Sequence, residues 1–222
     1  MTTFLLIPGA GGAAWYWHRL VPALHARGHQ AIAVDLPAAD ETAGLEAYTR
    51  VCLEALGDDA KDLVVVAQSM GGLTGPLVCE ERPARLLVLL NAMIPKPGES
   101  GGDWWQTTGH DELGMADNFD AERVFLHDLP PDVAEDARRR PTRQSGRPFA
   151  DPWPLPRWPA VPTRVLAGRD DRFFPLDFQR RIAKERLGLD VDVIPGGHLV
   201  ALSQPVALAD WLHAAASVPD RG

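Results

Sequence analysis

Short, unbroken apolar runs alternate with longer stretches of helical spacing along most of this chain. Residues 3–7 (TFLLI) form the first run and stop at Pro8-Gly9. Residues 15–27 then place Trp15, Leu20, Val21, Leu24 and Ala26 on one rough face, and Gly28 stands where a helix-ending glycine belongs. Residues 30–35 (QAIAVD) read as a second strand. Residues 42–57 read as a second helix, with Leu45, Tyr48, Thr49, Cys52, Leu53 and Leu56 at helical spacing. A third strand covers 62–68, a helix 70–82, and a fourth strand 85–91 (RLLVLLN). None of these strands alternates apolar with polar residues. Such strands are buried on both faces, as in a parallel sheet sandwiched by helices.

The rhythm breaks at Pro95. Residues 95–157 are rich in Gly, Pro, Trp and charge, and include an acidic stretch near 111–122 and a helix-like segment around 120–128. About 60 residues without a strand pattern is too long for a plain loop, so a partly helical insertion over the sheet edge is expected. The rhythm returns with a strand at 162–168, a helix at 175–186, a strand at 190–195 and a last helix near 204–216. The expected fold is α/β: a mostly parallel sheet of about six strands with helices on both faces. Residues 1–94 and 158–222 form the core, and 95–157 a small cap.

Composition narrows the class. The chain has 222 residues, 45% hydrophobic and 23% charged, which suits one globular domain carrying an insertion. The net charge of −8 and the lack of a basic stripe argue against nucleic acid as a partner. The one basic cluster, Arg138 to Arg140 with Arg143 and Arg147, reads as a solvated face or loop. No run approaches the roughly 18 apolar residues of a membrane span, and the N-terminus lacks the basic start of a signal peptide. Cys52 and Cys79 fall in expected helices and not in a metal-like spacing. Two free, buried or half-buried thiols in a reducing cytoplasm are expected. The oligomeric state stays open.

Chemistry concentrates at the strand ends. The third strand runs straight into Ala67-Gln68-Ser69-Met70-Gly71-Gly72. A nucleophile held on a strand-to-helix bend needs small neighbours two residues away on either side, because the two backbones come close. Ser69 is therefore the candidate nucleophile. His198, after Gly196-Gly197 and the last strand, is the candidate base, at the edge where α/β active sites gather. Arg169-Asp170-Asp171 follows the fifth strand, and either aspartate can orient the histidine. The backbone N–H of Met70 and one from the loop Pro8 to Gly12 would hold a developing oxyanion. That glycine-rich loop is neither GxGxxG nor GxxxxGK, so a nucleotide is not expected. The chemistry calls for no metal or organic cofactor.

These motifs, in the order Ser, Asp, His, resemble the α/β-hydrolase superfamily. FLLIPGAGGAAWYWHRLVPALHARGHQAIAVDLP is similar to the opening of its small methylesterase and hydroxynitrile-lyase branch. AQSMGGL resembles the elbow, GRDDRFFP the acid turn and GGH the base loop. The likeness covers residues 3–91 and 162–213. It implies Ser69 as nucleophile, His198 as base, Asp171 as acid with Asp170 as fallback, and the N–H groups of Ala10 and Met70 as the oxyanion hole. Pro8 and Gln68 stand where the family commonly has histidines. The lyases carry a lysine after the catalytic histidine and a threonine in the oxyanion loop. Leu199 and Ala10 occupy those places here, which favours ester hydrolysis of a small molecule. Trp104 and Trp105, with Trp153 and Trp158, are candidates for an apolar or aromatic substrate pocket. The competing reading is that they pack the insertion onto the sheet. Carbon–carbon bond hydrolysis on the same residues and a non-hydrolytic ligand-binding role are the alternatives.

Overall fold

The computed structural model describes residues 1–57, 60–114, 119–140 and 143–217. The six apolar runs pair as strands β1 (Thr3–Ile7), β2 (Gln30–Ala33), β3 (Leu63–Gln68), β4 (Leu86–Leu90), β5 (Thr163–Gly168) and β6 (Val191–Ile194). They form one all-parallel sheet in the order β2-β1-β3-β4-β5-β6. Successive side chains point to opposite faces, and both faces of β1, β3 and β4 are buried. Leu5, Ile7, Val65, Ala67, Leu87 and Leu89 pack on one side. Phe4, Leu6, Val64, Val66, Val88 and Leu90 pack on the other.

Helices α2 (Leu45–Leu56), α3 (Gly75–Glu81) and α7 (Leu176–Leu187) cover the first face. Helices α1 (Leu20–His25), α8 (Val200–Ser203) and α9 (Pro205–Ser217) cover the second. Two expected helices are subdivided. A 3-10 turn at Ala14–Trp17 precedes α1, and another at Ser69–Leu73 precedes α3. Pro76 lies in the first turn of α3, where its missing N–H costs nothing. Cys52 in α2 and Cys79 in α3 are both buried and free. Burial pushes each thiol up to about 12. Among the described residues no helix is long and apolar enough to cross a membrane.

The register brings the strand ends level: Ile7 lies beside Ala67, Gln68 beside Leu90, and Gly168 beside Ile194. The loops after β1, β3, β4, β5 and β6 therefore leave from one edge, the place where open parallel sheets bind ligands.

Residues 95–157 carry α4 (Gly101–Thr107), α5 (Pro131–Arg138) and α6 (Arg147–Ala150). Among their described members none joins the sheet; Ser100 and Pro152 make an isolated bridge. The helix-like segment near 120–128 is a π-helical turn at Glu122–Leu126. Residues 115–118 of the acidic stretch lie outside the described residues. The arginine cluster is exposed but paired: Arg138 with Glu122, Arg139 with Glu135, Arg140 with Asp136 and Arg143 with Glu41.

This segment is fastened to the core by buried tryptophans. The Trp104 indole N–H donates to Ile94 O and that of Trp153 to Leu73 O, each at 3.1 Å. Trp158 stacks on Trp153. A buried ion pair reinforces the seam. Arg186 of α7 grips Glu99 through both carboxylate oxygens, and the two side chains are 2% and 7% exposed. Burial alone would raise the Glu99 carboxyl, but the Arg186 hydrogen bonds and charge, with Thr107, hold it below its usual range.

Removing one partner strands a buried charge, so Arg186→Met should destabilise the fold by about 3–5 kcal/mol in denaturant titration at neutral pH. Glu99 is depressed in the folded chain, so its ionisation stabilises above its unfolded pKa. That contribution disappears as pH falls below about 4. The stability gap between wild type and Arg186→Met should therefore narrow in acid.

Candidate active site

β3 ends on Gln68, and Ser69 adopts φ of 52°, a left-handed conformation that a non-glycine residue takes only under constraint. The chain must bend there because both flanking backbones are pinned. The N–H of Met93 donates to Ser69 O at 2.9 Å. A side chain at Gly72 would meet Met93 O at 2.0 Å. Ala67 stands where a first glycine is usual. It is accommodated by Gly75, whose missing side chain would otherwise lie 2.7 Å from the Ala67 Cβ.

Ser69 Oγ lies 3.0 Å from His198 Nε2, and His198 Nδ1 lies 2.9 Å from Asp171 Oδ2. All three residues are buried. Nδ1–H donates to the carboxylate, which leaves Nε2 to accept the serine O–H. Asp171 is fixed in turn. Its Oδ1 accepts from the N–H groups of Phe173 (2.8 Å) and Phe174 (2.9 Å), and its Oδ2 also accepts from Gln179 Nε2 at 3.3 Å. Asp170 points elsewhere, paired with Arg169 and accepting from Gly196 N–H.

Asn91, just past β4, ties the loops that carry Asp171 and His198 to the sheet. It is fully buried, with φ of 44°. Its Oδ1 accepts from Gly168 N–H at 2.8 Å, and its Nδ2 donates to Gly197 O (3.1 Å) and His198 O (3.0 Å). Gln68 also donates to His198 O.

Ser69 and His198 border a cavity of about 510 Å³. Ala10 and Met70 border it as well. Met70 is in the first turn of its 3-10 helix, where an N–H has no partner within the helix. Gln144 holds the next peptide of the Ala10 loop by accepting from Gly11 N–H at 3.0 Å, while its Nε2 donates to Tyr48 OH. Trp105, Phe125, Phe149, Phe173, Met93 and Leu199 give the cavity apolar walls. Of the paired tryptophans, Trp105 reaches the cavity. Trp104 does not: it is fully buried against Phe174 and Phe178. Trp153 and Trp158 likewise belong to the seam.

Two other titratable groups near the site stay neutral. Burial raises the Tyr16 phenol far above its usual range. Burial also lowers the His110 imidazole, which donates from Nε2 to Phe173 O inside a ring of aromatics.

A family model described as "Alpha/beta hydrolase family" matches residues 4–211. The chain belongs to that family. The "Probable esterase PIR7A" of Oryza sativa subsp. indica is 39% identical over 110 residues, which are 45% of this chain and 42% of that relative. The chain thus spans less than half the length of this relative. The "Pyrethroid hydrolase" of Sphingobium wenxiniae is 26% identical over 249 residues, covering 99% of this chain and 89% of the relative. In three dimensions, the crystal structure of a histidine-to-alanine variant of polyneuridine aldehyde esterase superposes with a TM-score of 0.83 at 21% identity. That match covers 98% of this chain and 99% of the other. At that identity the likeness speaks for the fold.

Asn91, Gln179, Gln144 and the two phenylalanines Phe125 and Phe173 are absent from the sequence-based account of this α/β-hydrolase. The available signal for Asn91 was slight: one amide closing a run of aliphatic residues. Gln144 and Gln179 carried none, since their partners are distant in the chain.

The left-handed Ser69 backbone predicts a measurable strain. Ser69→Gly and Ser69→Ala both delete the hydroxyl, but only glycine relaxes φ. Ser69→Gly should be more stable than Ser69→Ala by about 1 kcal/mol in equilibrium unfolding. Equal stabilities would mean that the bend is unstrained.

Proposed function

We propose that this α/β-hydrolase is a serine carboxylesterase acting on small, uncharged esters with an apolar or aromatic part. The observation that carries the reading is the hydrogen-bonded chain Asp171–His198–Ser69, with spacings of 2.9 and 3.0 Å, opening on an apolar cavity.

Ser69 Oγ attacks the ester carbonyl while His198 Nε2 takes its proton. Asp171 holds the imidazole in the required tautomer and stabilises the imidazolium. The tetrahedral oxyanion rests on the N–H groups of Ala10 and Met70. Collapse expels the alcohol with the proton from His198. Water then enters, gives its proton to His198 and attacks the acyl-enzyme, releasing the acid and free Ser69. The strained bend at Ser69 presents Oγ to the cavity.

The walls favour the substrate class. Arg138 and Arg140 border the cavity, but each is paired with a carboxylate. Discharging those pairs for a charged substrate has little electrostatic return. Residues 95–157 serve as the cap that supplies Trp105, Phe125 and Phe149. The relatives named for pyrethroid and polyneuridine aldehyde ester chemistry are consistent with this choice.

A fluorophosphonate should add once per chain, at Ser69, by intact mass and peptide mapping, with no adduct on Ser69→Ala. Lack of labelling on the native protein would overturn the esterase reading. With an aromatic ester as substrate, Asp171→Asn should lower kcat by about 10⁴-fold, because the wrong tautomer then faces Ser69. Asp170→Asn should leave kcat near the wild-type value. The reverse ranking would make Asp170 the acid.

A further inference from the structure

We propose that Asp128, carried by the segment between β4 and β5, is a positioning residue for His198. This inference rests on the esterase reading above. It makes seating of the cap a condition for a correctly placed base.

The loop 196–198 has few ways to satisfy its backbone. On the sheet side, Asn91 and Gln68 donate to the carbonyl oxygens of Gly197 and His198. Asp170 takes the N–H of Gly196 at 3.3 Å. The N–H of Gly197 points the other way and donates to Asp128 Oδ2 at 2.6 Å. This N–H belongs to the Gly196–Gly197 peptide, one residue before His198; the carbonyl of that peptide accepts from Asp170 N–H at 2.9 Å. A short, charge-assisted bond to it fixes the tilt from which the imidazole departs. Deleting the acceptor would leave a part-buried N–H unpaired and the peptide held from its carbonyl side alone.

The fit around this bond is close. A Cβ on Gly197 would lie 2.9 Å from Asp128 Oδ1 and 2.8 Å from His127 Cε1. Asp128 Oδ1 is itself buried without a hydrogen-bond partner. A half-satisfied carboxylate is a costly group to hold at a loop unless its other oxygen does something there. Asp128 does not border the cavity, so binding of substrate is not its task.

The same segment touches the rest of the relay. Arg172, next to Asp171, donates to Arg123 O at 2.9 Å. The Phe125 ring sits 5.3 Å from the His198 ring. Leu129, the residue after Asp128, is buried in the core on the α9 side of the sheet. The stretch 123–129 is thus anchored at one end to the acid turn and at the other to the core. Asp128 is the point where it grips the base loop.

The test is the kinetics of fluorophosphonate labelling on the full chain, with Asp128→Ala, Asp128→Asn and Asp128→Glu beside wild type. The maximal labelling rate per native Ser69 should fall about 10- to 100-fold in Asp128→Ala, as expected when a catalytic group is misplaced by about an ångström. The probe concentration for half-maximal rate should hold. Asp128→Asn keeps an acceptor for the Gly197 N–H and should recover most of the rate. Asp128→Glu keeps the charge but moves the acceptor, and should stay slow. Should Asp128→Ala fail to fold, the Asn and Glu pair decides the same question. Full-rate labelling in Asp128→Ala, or in Asp128→Glu where the alanine variant does not fold, would overturn the positioning role and leave the esterase reading intact. An unlabelled wild type would remove both.

Discussion

A parallel sheet can deliver side chains to one edge, but it cannot by itself hold two loops in register beyond its last hydrogen bond. In this chain the buried amide of Asn91 does that. Its oxygen takes the last N–H of β5, the strand leading to Asp171, and its nitrogen takes the two carbonyls that flank the departure of His198. One planar group thus sets the distance between the loops that carry Asp171 and His198. The left-handed turn at Asn91 follows from that role, since the amide must lie across the strand ends. Asn tolerates this backbone better than most residues.

The serine depends on a different kind of constraint. Its bend is enforced by closeness, with Gly72 against Met93 O and Gly75 against Ala67. The site therefore combines a steric device for Ser69 with a hydrogen-bonded one for Asp171 and His198. These devices meet at Gln68, whose backbone ends β3 and whose side chain reaches His198 O. The residue that stands in place of a common family histidine thus has a structural duty of its own.

Much of this was legible in the chain. The inner strands β1, β3 and β4 announced themselves as apolar runs, because burial on both sheet faces leaves little room for a polar position. Ser69 and His198 were legible from their glycine neighbours. Neighbouring residues were harder to separate. Asp170 and Asp171 differ only in which side of one turn they leave, and Trp104 and Trp105 differ by about 100° around a helix. Spacing alone does not tell which of such a pair faces the core. The contacts of Asn91, Gln144 and Gln179 join residues far apart in sequence, so a local pattern carries no trace of them. The helix-like spacing near 120–128 does not tell a π-helical turn from an α-helical one, since both place apolar residues on one side.

The placement of the long segment between β4 and β5 has a consequence for how freely such a chain can change. Those two strands are neighbours in the centre of the sheet, yet the segment between them is roughly three times as long as the one between β5 and β6. Chain-closure entropy grows only with the logarithm of length, so this difference costs about 1 kcal/mol. Lengthening or rewriting that excursion is cheap for the sheet as long as its seams survive. Diversification of ligand preference can then proceed by exchanging material between two fixed strands, while the sheet keeps its order.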